Sequence, residues 1–371
     1  MMRLLILVNS MGGGGAERVT ATLANYWAAK GWEISIVTLT PQSDDFYELS
    51  ASIKRVALEL GGESSNVFIG LLHNVHRVLA VRRVLCDIKP DVALGMMTTA
   101  NILLALASLR LRIRTVGSER THPPQYPLGA LWERLRSYGY GLLVAVVAQS
   151  NEGAAWIDFN TNAKNVVVIP NPVKWPLTNH QPLLEVDEVC QKGRKLLLAV
   201  GRLSAEKQFD LLIDVFKSLT SRHPDWDLVI LGEGPLHLDL EILVRQLGLQ
   251  SRVLLPGRAG NVGDWYERAD LFVLSSRFEG FPNALVEAMA YGVPTVSFDC
   301  DTGPRDIICH EVDGLLVPPG NQVSLTAALD RLMDDAALRQ RFANRAVEVR
   351  ERFSIDLVAE KWANLFLERA K

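Results

Sequence analysis

The sequence has few cysteines and no long apolar run. These two features argue against a disulfide-rich or zinc-binding protein and against a membrane-spanning one. Its four cysteines show no paired close spacing, so neither a zinc site nor a disulfide framework is expected, and a reducing compartment fits. No apolar stretch approaches the ~20 residues that a membrane-spanning helix needs. The first apolar run, residues 4–8, leads into Asn9 and a glycine-rich stretch, which is typical of a first β-strand and not of a secretion signal. We therefore expect a cytoplasmic protein without a membrane span.

A large excess of one charge is also missing. The net charge is -3, with 17 Lys and Arg against 13 Asp and Glu in residues 1–175, and 22 against 29 in the remainder. A nucleic-acid-binding domain usually carries a larger basic excess, so no nucleic-acid partner is expected. The modest basic excess of the first half permits attraction to an anionic membrane surface or to a pyrophosphate-bearing acceptor.

The glycines at 12–15 lack the spacing of a dinucleotide-binding loop. That loop needs Gly-x-Gly-x-x-Gly and an acidic residue after the second strand, whereas the second predicted strand, residues 33–39, ends without one. NAD binding is therefore not expected. The remaining interpretations are a tight turn and a loop whose glycines let the backbone approach a phosphate.

β-Prone runs alternate with helical patterns through most of the 371 residues. This alternation is typical of βαβ units and a parallel sheet, and the length suffices for two domains that each bury a core. The predicted strands are residues 3–9, 33–39, 91–94, 112–117, 142–148 and 166–169, then 195–200, 228–231, 253–255, 271–274, 295–298 and 315–317. The polar, proline-rich stretch 170–193 predicts the connection between two Rossmann-like domains.

Two glutamates eight positions apart flank the start of a predicted helix. Glu279 lies in a loop with Gly280 and Pro282, and Glu287 lies in the helix expected to begin near Asn283. A helix start directs free backbone N–H groups and the positive end of its dipole into the loop, which suits a diphosphate. Glu287 could then accept hydrogen bonds from a ribose diol, and Glu279 from sugar hydroxyls. The alternative is a pair of solvated glutamates.

Two cations follow the predicted strand 195–200. Arg202 and Lys207 stand five residues apart after it, at the edge where open α/β sheets bind ligands. An arginine fork and a lysine point charge together suit a bridging diphosphate. With the two glutamates, they predict a nucleotide-sugar site.

The order and spacing of these motifs resemble glycosyltransferase family 4, whose members are retaining enzymes of the GT-B fold. The resemblance covers essentially the whole chain and includes the stretches 12–18, 169–173, 301–304 and 313–317. It implies an α/β fold in which two Rossmann-like domains face each other across a cleft. The implied acceptor-binding domain is 1–175, the nucleotide-sugar-binding domain is 176–354, and the C-terminal helix, 355–371, crosses back to the first domain.

The same resemblance implies roles for individual residues. The implied catalytic residues are Arg202, Lys207, Glu279 and Glu119. The implied donor-binding residues are Gly14, Gly15, Arg258, Gly280, Phe281, Pro282, Asn283, Ala284 and Glu287. Arg258 would lie near the nucleobase or the phosphates, unless its loop is purely structural.

Glu119 and His122 follow the predicted strand 112–117 and are expected on the acceptor side. Many members of the family have a histidine directly after this glutamate, whereas Arg120 stands there in this chain. His122 has the alternative of packing within its loop.

A predicted helix at 68–86 combines apolar and basic positions. Arg77, Arg82 and Arg83 are expected to bind the acceptor, because similar enzymes that act on polyprenyl-linked acceptors carry a basic helix here. In that interpretation the arginines bind lipid-linked pyrophosphate while the apolar side touches the bilayer. In the alternative, the apolar side faces the core. The apolar positions are Ile69, Leu72, Val75 and Leu79.

The stretch Asp299-Cys300-Asp301 matches the Asp-x-Asp signature of metal-dependent glycosyltransferases of another fold. Chance occurrence is the preferred interpretation, because Arg202 and Lys207 already supply positive charge for the leaving group. We therefore expect no metal and no other cofactor, with a UDP-sugar as co-substrate.

The expected activity is retaining transfer of a hexose or N-acetylhexosamine from a UDP-sugar to a sugar hydroxyl. The expected acceptor is a polyprenyl-diphosphate-linked oligosaccharide or a related glycan, at the cytoplasmic face of the inner membrane. Three alternatives stay open: a nucleotide-sugar epimerase or hydrolase of the same fold, a transferase that uses a soluble acceptor, and a non-catalytic binding subunit.

Overall fold

Two parallel β-sheets organise the chain, one in each of two units. The computed structural model describes residues 2–62, 67–125 and 127–368. The first unit comprises Met1–Pro172 and Ile355–Lys371, and the second comprises Val173–Ser354. The chain thus leaves the first unit between Pro172 and Val173, slightly before the expected boundary at 175/176. The residues from Ile355 onward belong to the first unit.

The first sheet has seven strands in the order β3-β2-β1-β4-β5-β6-β7. The strands are β1 (Arg3–Val8), β2 (Glu33–Thr38), β3 (Lys54–Ala57), β4 (Val92–Met96), β5 (Arg114–Ser118), β6 (Ala145–Ala148) and β7 (Val166–Val168). The central strands are apolar and buried because helices cover a parallel sheet on both faces. Strand order reverses between β1 and β4, and ligands of open α/β sheets bind at such a switch point, beyond the carboxyl ends of the strands.

In the described residues, six α-helices accompany this sheet. They are α1 (Gly15–Ala29), α2 (Val67–Ile88), α3 (Thr98–Ala107), α4 (Ala130–Leu142), α5 (Asn151–Asn160) and the C-terminal α15 (Ile355–Leu367). Helix α15 packs on α1: Trp362 is buried in the same apolar core as Trp27. Polar contacts fix it at both ends, since Tyr26 donates a 2.5 Å hydrogen bond to Asp356 and Arg114 donates one to the carbonyl of Leu365.

The second sheet has six strands in the order β10-β9-β8-β11-β12-β13. The strands are β8 (Lys195–Val200), β9 (Trp226–Leu231), β10 (Val253–Gly257), β11 (Leu271–Leu274), β12 (Thr295–Phe298) and β13 (Gly314–Val317). The helices are α6 (Val186–Val189), α7 (Phe209–Leu219), α8 (His237–Gln246), α9 (Val262–Arg268), α10 (Asn283–Ala290), α11 (Pro304–Ile307), α12 (Gln322–Asp334), α13 (Ala336–Ala346) and α14 (Val349–Arg352). Here the switch point lies between β8 and β11.

Candidate active site

The loops after β8 and β11 join at the switch point of the second sheet. Lys207 Nζ lies 2.5 Å from Glu279 Oε1, and only 17% and 11% of these two side chains are exposed. A charge-assisted contact of this length is strong where water is largely excluded. The structure therefore brings together one cation and one carboxylate that lie 72 positions apart in the sequence.

Hydrogen bonds hold these two loops in register. Ser275 Oγ donates to the carbonyl of Lys207 at 2.7 Å, and the amide of Arg277 donates to the carbonyl of Glu206 at 2.8 Å. Ser276 Oγ donates to Glu279 Oε1 at 2.6 Å. Glu279 Oε1 therefore accepts from both Lys207 and Ser276, which fixes the direction of the carboxylate.

The loop that carries Arg202 packs against two glycines, and a side chain at either one would clash with its backbone. A Cβ on Gly232 would lie 1.9 Å from the carbonyl oxygen of Gly201, and one on Gly234 would lie 2.3 Å from that of Leu203. The backbone after β9 thus packs directly on the backbone around Arg202. The Arg202 side chain is exposed, and it makes no ion pair with any residue that the structure describes.

The start of α10 lies in the same group of loops. Thr302 Oγ1 donates to the carbonyl of Glu279, and a Cβ on Gly303, whose φ is +94°, would lie 2.5 Å from Pro282 Cδ. The loop after β12 therefore packs tightly against the residues that precede the helix, where Gly280, Pro282, Asn283 and Ala284 were expected to bind a donor. The first N–H groups of a helix have no partner within it and are available to an anion.

Glu287 lies one turn into α10 and is buried. Tyr266 donates a hydrogen bond of 3.3 Å to its Oε2. This contact orients a carboxylate that was expected to bind a ribose. Phe281, by contrast, is buried against the ring of Phe353, so its ring belongs to the core.

Arg258 lies apart from this group in the sheet order. It follows β10, the outermost strand, two strands from β8. Its loop begins at Gly257, whose φ is +93° and whose carbonyl accepts from the amide of Gly232.

The glycine-rich loop of the first unit follows β1 at the switch point of that sheet. Gly14 precedes α1, and Gly15 is its first residue. A Cβ on Gly14 would lie 2.2 Å from Glu17 Oε2, and Ser10 Oγ donates to Glu17 Oε1 at 3.1 Å. The carboxylate of Glu17 therefore lies against this loop. No role was expected for Glu17 beyond its place in the motif.

Glu119, which was expected to be catalytic on the acceptor side, is buried in the loop after β5. Only 2% of this residue is exposed. Its Oε2 accepts from Tyr140 and Thr98 at 2.6 and 2.7 Å, and its Oε1 accepts from the hydroxyl and amide of Thr121 and the amide of Arg120. Both oxygens are used within the first unit, so Glu119 positions the loop after β5. Tyr140 and Thr98 come from α4 and α3, and no motif pointed to them.

Arg120 and His122 are both buried in that loop. The Arg120 guanidinium donates to Asn171 Oδ1 at 2.6 Å, and Gln149 Nε2 donates to the same oxygen at 2.7 Å. Burial lowers the pKa of Arg120 to about 10. Asn171 belongs to the stretch 169–173 that was recognised from its motif, whereas Gln149 was not expected at the site.

The arginines of α2 differ in their contacts. Arg82 donates to the carbonyls of Ala107 and Leu109 at 2.8 Å, so it caps the end of α3. Arg77 donates to carbonyls in the preceding loop. Arg83 is exposed, and of the three it is the one whose guanidinium is not committed to the protein's own backbone.

The apolar positions of α2 are mostly exposed. Leu72, Val75 and Leu79 are 69%, 49% and 58% exposed, and the helix buries Val81 and Leu85 instead. The alternative in which this apolar side faces the core is therefore wrong for these three positions. The side chain of Ile69 lies outside the described residues.

Carboxylates that could bind a metal have other partners here. Asp299 forms two contacts with the guanidinium of Arg305 at 2.9 and 3.0 Å. His223, Asp330 and Asp334 place ligand atoms within 4.8 Å of one another, but Arg222 Nη1 lies 2.7 Å from Asp330. His223 lies just before β9, whereas Asp330 and Asp334 lie on α12, so the cluster lies at the amino edge of the sheet and Lys207 at the carboxyl edge.

Two Rossmann-like halves, each a parallel sheet with interleaved helices and with loops gathered at its switch point, define the GT-B fold. Solved structures confirm this fold. Sucrose-phosphate synthase from Thermosynechococcus elongatus has a TM-score of 0.83 at 18% identity, covering 99% of this chain and 98% of that one. HepE from Anabaena, solved in complex with UDP, has a TM-score of 0.78 at 19% identity, covering 98% and 99%.

Two family models match the chain. "Glycosyl transferase 4-like domain" matches residues 14–172, and "Glycosyl transferases group 1" matches residues 184–349. A relative from Campylobacter jejuni is 28% identical over 99% of this chain and 99% of its own length; it is named GalNAc-alpha-(1->4)-GalNAc-alpha-(1->3)-diNAcBac-PP-undecaprenol alpha-1,4-N-acetyl-D-galactosaminyltransferase. The chain therefore belongs to the family 4-like glycosyltransferases, which confirms the resemblance of its motifs. Within the described part of the chain, no helix has the length and apolar character needed to cross a bilayer.

Proposed function

We propose that the protein transfers a hexose or N-acetylhexosamine from a UDP-sugar, with retention of the anomeric configuration, to a sugar hydroxyl of a polyprenyl-diphosphate-linked acceptor. The observation that carries the donor assignment is the Lys207–Glu279 pair beside the start of α10. The UDP bound to HepE supports the choice of nucleotide. The name of the Campylobacter jejuni relative supports a lipid-linked acceptor.

The largest charge change in this reaction occurs when the UDP diphosphate leaves. Lys207 and Arg202 and the backbone N–H groups at the start of α10 stabilise that charge. The contacts of Ser275 and Thr302 preorganise the backbone at Lys207 and the loop before α10, so those groups need little rearrangement. They also make a metal ion unnecessary for departure of the leaving group.

Glu279 and Glu287 bind the two ends of the donor in this proposal. The carboxylate of Glu279 is held by Lys207 and Ser276, which suits the acceptance of hydrogen bonds from sugar hydroxyls better than attack on the anomeric carbon. Glu287, oriented by Tyr266, accepts from the ribose. Neither carboxylate is assigned as a covalent nucleophile, so retention proceeds through attack on the face that the UDP leaves.

Incubation of the protein with a panel of UDP-sugars and a polyprenyl-diphosphate-linked sugar tests this function. We expect one donor to add one or more sugar masses to the acceptor, an α-configured product from an α-configured donor by NMR, and an unchanged rate in EDTA. Donor turnover that does not depend on acceptor would instead favour an epimerase or hydrolase. A mass gain only on acceptors without lipid would favour a soluble glycan as substrate.

We further propose that α2 attaches the first unit to the membrane surface that carries the acceptor. Leu72, Val75 and Leu79 form one exposed apolar stripe at helical spacing, and Arg83 is exposed on the same helix. Exposed apolar side chains beside basic ones are typical of helices that lie in the membrane interface.

Replacement of Leu72, Val75 and Leu79 together with glutamine should weaken binding to anionic lipid vesicles by about tenfold or more, because each buried aliphatic side chain contributes on the order of 1 kcal/mol or more. Co-sedimentation with vesicles measures this. Leu238, which is 67% exposed on α8 of the second unit, supplies the control, and its change to glutamine should leave binding unaltered. Equal sedimentation of the triple variant and the parent would contradict the proposal.

A further inference from the structure

Arg120 is a buried cation without a bound anion. Only 8% of the residue is exposed. Its guanidinium donates a hydrogen bond to Asn171 Oδ1, and its Nε is buried without a hydrogen bond. Over the described ranges, no carboxylate lies within ion-pair distance of it. A buried charge is costly unless it is paired, so the free protein holds this guanidinium at an energetic cost.

The surroundings of Arg120 keep that cation in place and do not neutralise it. Glu119 accepts a hydrogen bond from the backbone amide of Arg120, but its own carboxylate is turned toward Tyr140 and Thr98. Asn171 offers a neutral oxygen that it shares with Gln149. Glu17 influences Arg120 only through space.

Arg120 also lies where the first sheet would bind a ligand. It follows β5, and its contacts Gln149 and Asn171 follow β6 and β7, so all three stand at the carboxyl edge of the sheet. The carboxylate of Glu17, whose charge raises the pKa of Arg120 against the effect of burial, lies in the first turn of α1 after the glycine-rich loop.

We propose that Arg120 binds a phosphate group of a substrate. The negative charge of that phosphate would then pair with the buried guanidinium. The assignment rests on the proposed function, because it requires a phosphorylated donor or acceptor. The arginine fork matches two oxygens of one phosphate, which a lysine or a histidine does not do. Arg120 is then a substrate-binding residue that replaces the histidine found there in many members of the family.

Replacement of Arg120 with methionine should raise the KM for the phosphate-bearing substrate that it contacts by about 10- to 100-fold, the usual effect of losing a hydrogen bond to a charged group. Initial rates are measured first with varied donor and then with varied acceptor. The two series show whether Arg120 binds the donor phosphates or the acceptor phosphates. A rise confined to the UDP-sugar assigns the donor phosphates. A rise confined to the polyprenyl-diphosphate acceptor, and absent with the same acceptor sugar on an uncharged aglycone, assigns the acceptor phosphates.

Thermal unfolding distinguishes binding from a structural role. Because the methionine removes an unpaired buried charge, we expect a Tm equal to or above that of the parent. Inorganic pyrophosphate should raise the Tm of the parent more than that of the variant. Arg120→Lys, which keeps the charge but not the fork, should give an intermediate KM. Arg112, an exposed arginine in the same unit, serves as the control through Arg112→Met, which should behave as the parent.

The assignment is overturned if Arg120→Met leaves both KM values unchanged, or if it lowers the Tm and leaves the response to pyrophosphate intact. In either case sugar transfer by the parent would still support the proposed function. If the parent transfers no sugar to any acceptor, yet the variant loses the Tm response to pyrophosphate, the proposed function fails and phosphate binding by Arg120 stands.

Discussion

Replacement of Lys207 with alanine should lower the rate of sugar transfer by ~10²–10³-fold, which is the usual cost of removing one preorganised charge-stabilising group. Hydrogen bonds from the loop between β11 and α10 hold the backbone of Lys207 and of its neighbour Glu206. Loss of the Lys207 side chain also removes one of the two hydrogen bonds to Glu279 Oε1 and leaves the one from Ser276. Single-turnover rates with saturating donor measure the effect on departure of the diphosphate.

A matched control separates lost chemistry from lost folding. Lys192 is exposed in the same unit, and Lys192→Ala should retain the parental rate. Circular dichroism of Lys207→Ala should match the parent, because the pair stands at the edge of the sheet and not in its core. A Lys207→Ala protein that keeps more than about a tenth of the parental rate would remove the basis of the donor assignment.

Replacement of Trp362 with alanine should lower the free energy of unfolding of the first unit by about 3–5 kcal/mol, because it leaves a cavity the size of an indole in a closed core. Trp362 is fully buried, and Phe366 and Trp27 line the same core. Denaturant unfolding followed by a probe in each unit measures this, since two units need not unfold in one step. The transition of the second unit should not move.

Leu367 provides the comparison for this experiment. It ends the same helix but is 65% exposed, so Leu367→Ala should change the free energy of unfolding by less than about 0.5 kcal/mol. If Trp362→Ala were equally mild, α15 would not be an integral part of the first unit.

The strands were predictable where apolar runs are buried on both faces. Strands β8, β11 and β12 match their expected ranges, because their sequences are continuous apolar segments. Strand β3 (Lys54–Ala57) was missed since it lies at the sheet edge, is only half buried and lacks such a run. The predicted strand 142–148 begins only at Ala145, because α4 continues to Leu142.

The pairing of Lys207 with Glu279 followed from topology more than from the residues themselves. Both stand after strands that the βαβ pattern makes neighbours at a switch point, so their loops had to meet. The strand order did not predict which way the Glu119 carboxylate points. Its partners Tyr140 and Thr98 come from helices far along the chain, and whether a loop carboxylate faces solvent or the interior depends on those distant groups.

The sequence pattern likewise did not predict which face of α2 is buried. Apolar residues occur on more than one side of this helix, and Val81 and Leu85 face the core while Leu72 and Leu79 do not. Helical periodicity identifies a helix, but it cannot select between two apolar sides. The positions of the first sheet and of α3 decide which side packs.

The first unit is assembled from two separate stretches of chain, and this has a consequence for biosynthesis. Domains commonly acquire their structure in the order in which the ribosome releases them. Here the leading stretch, ending at Pro172, emerges with the surface that later receives Trp362 and Phe366 still uncovered. The second unit can therefore complete its structure first, and the first unit completes its core only when α15 has been translated.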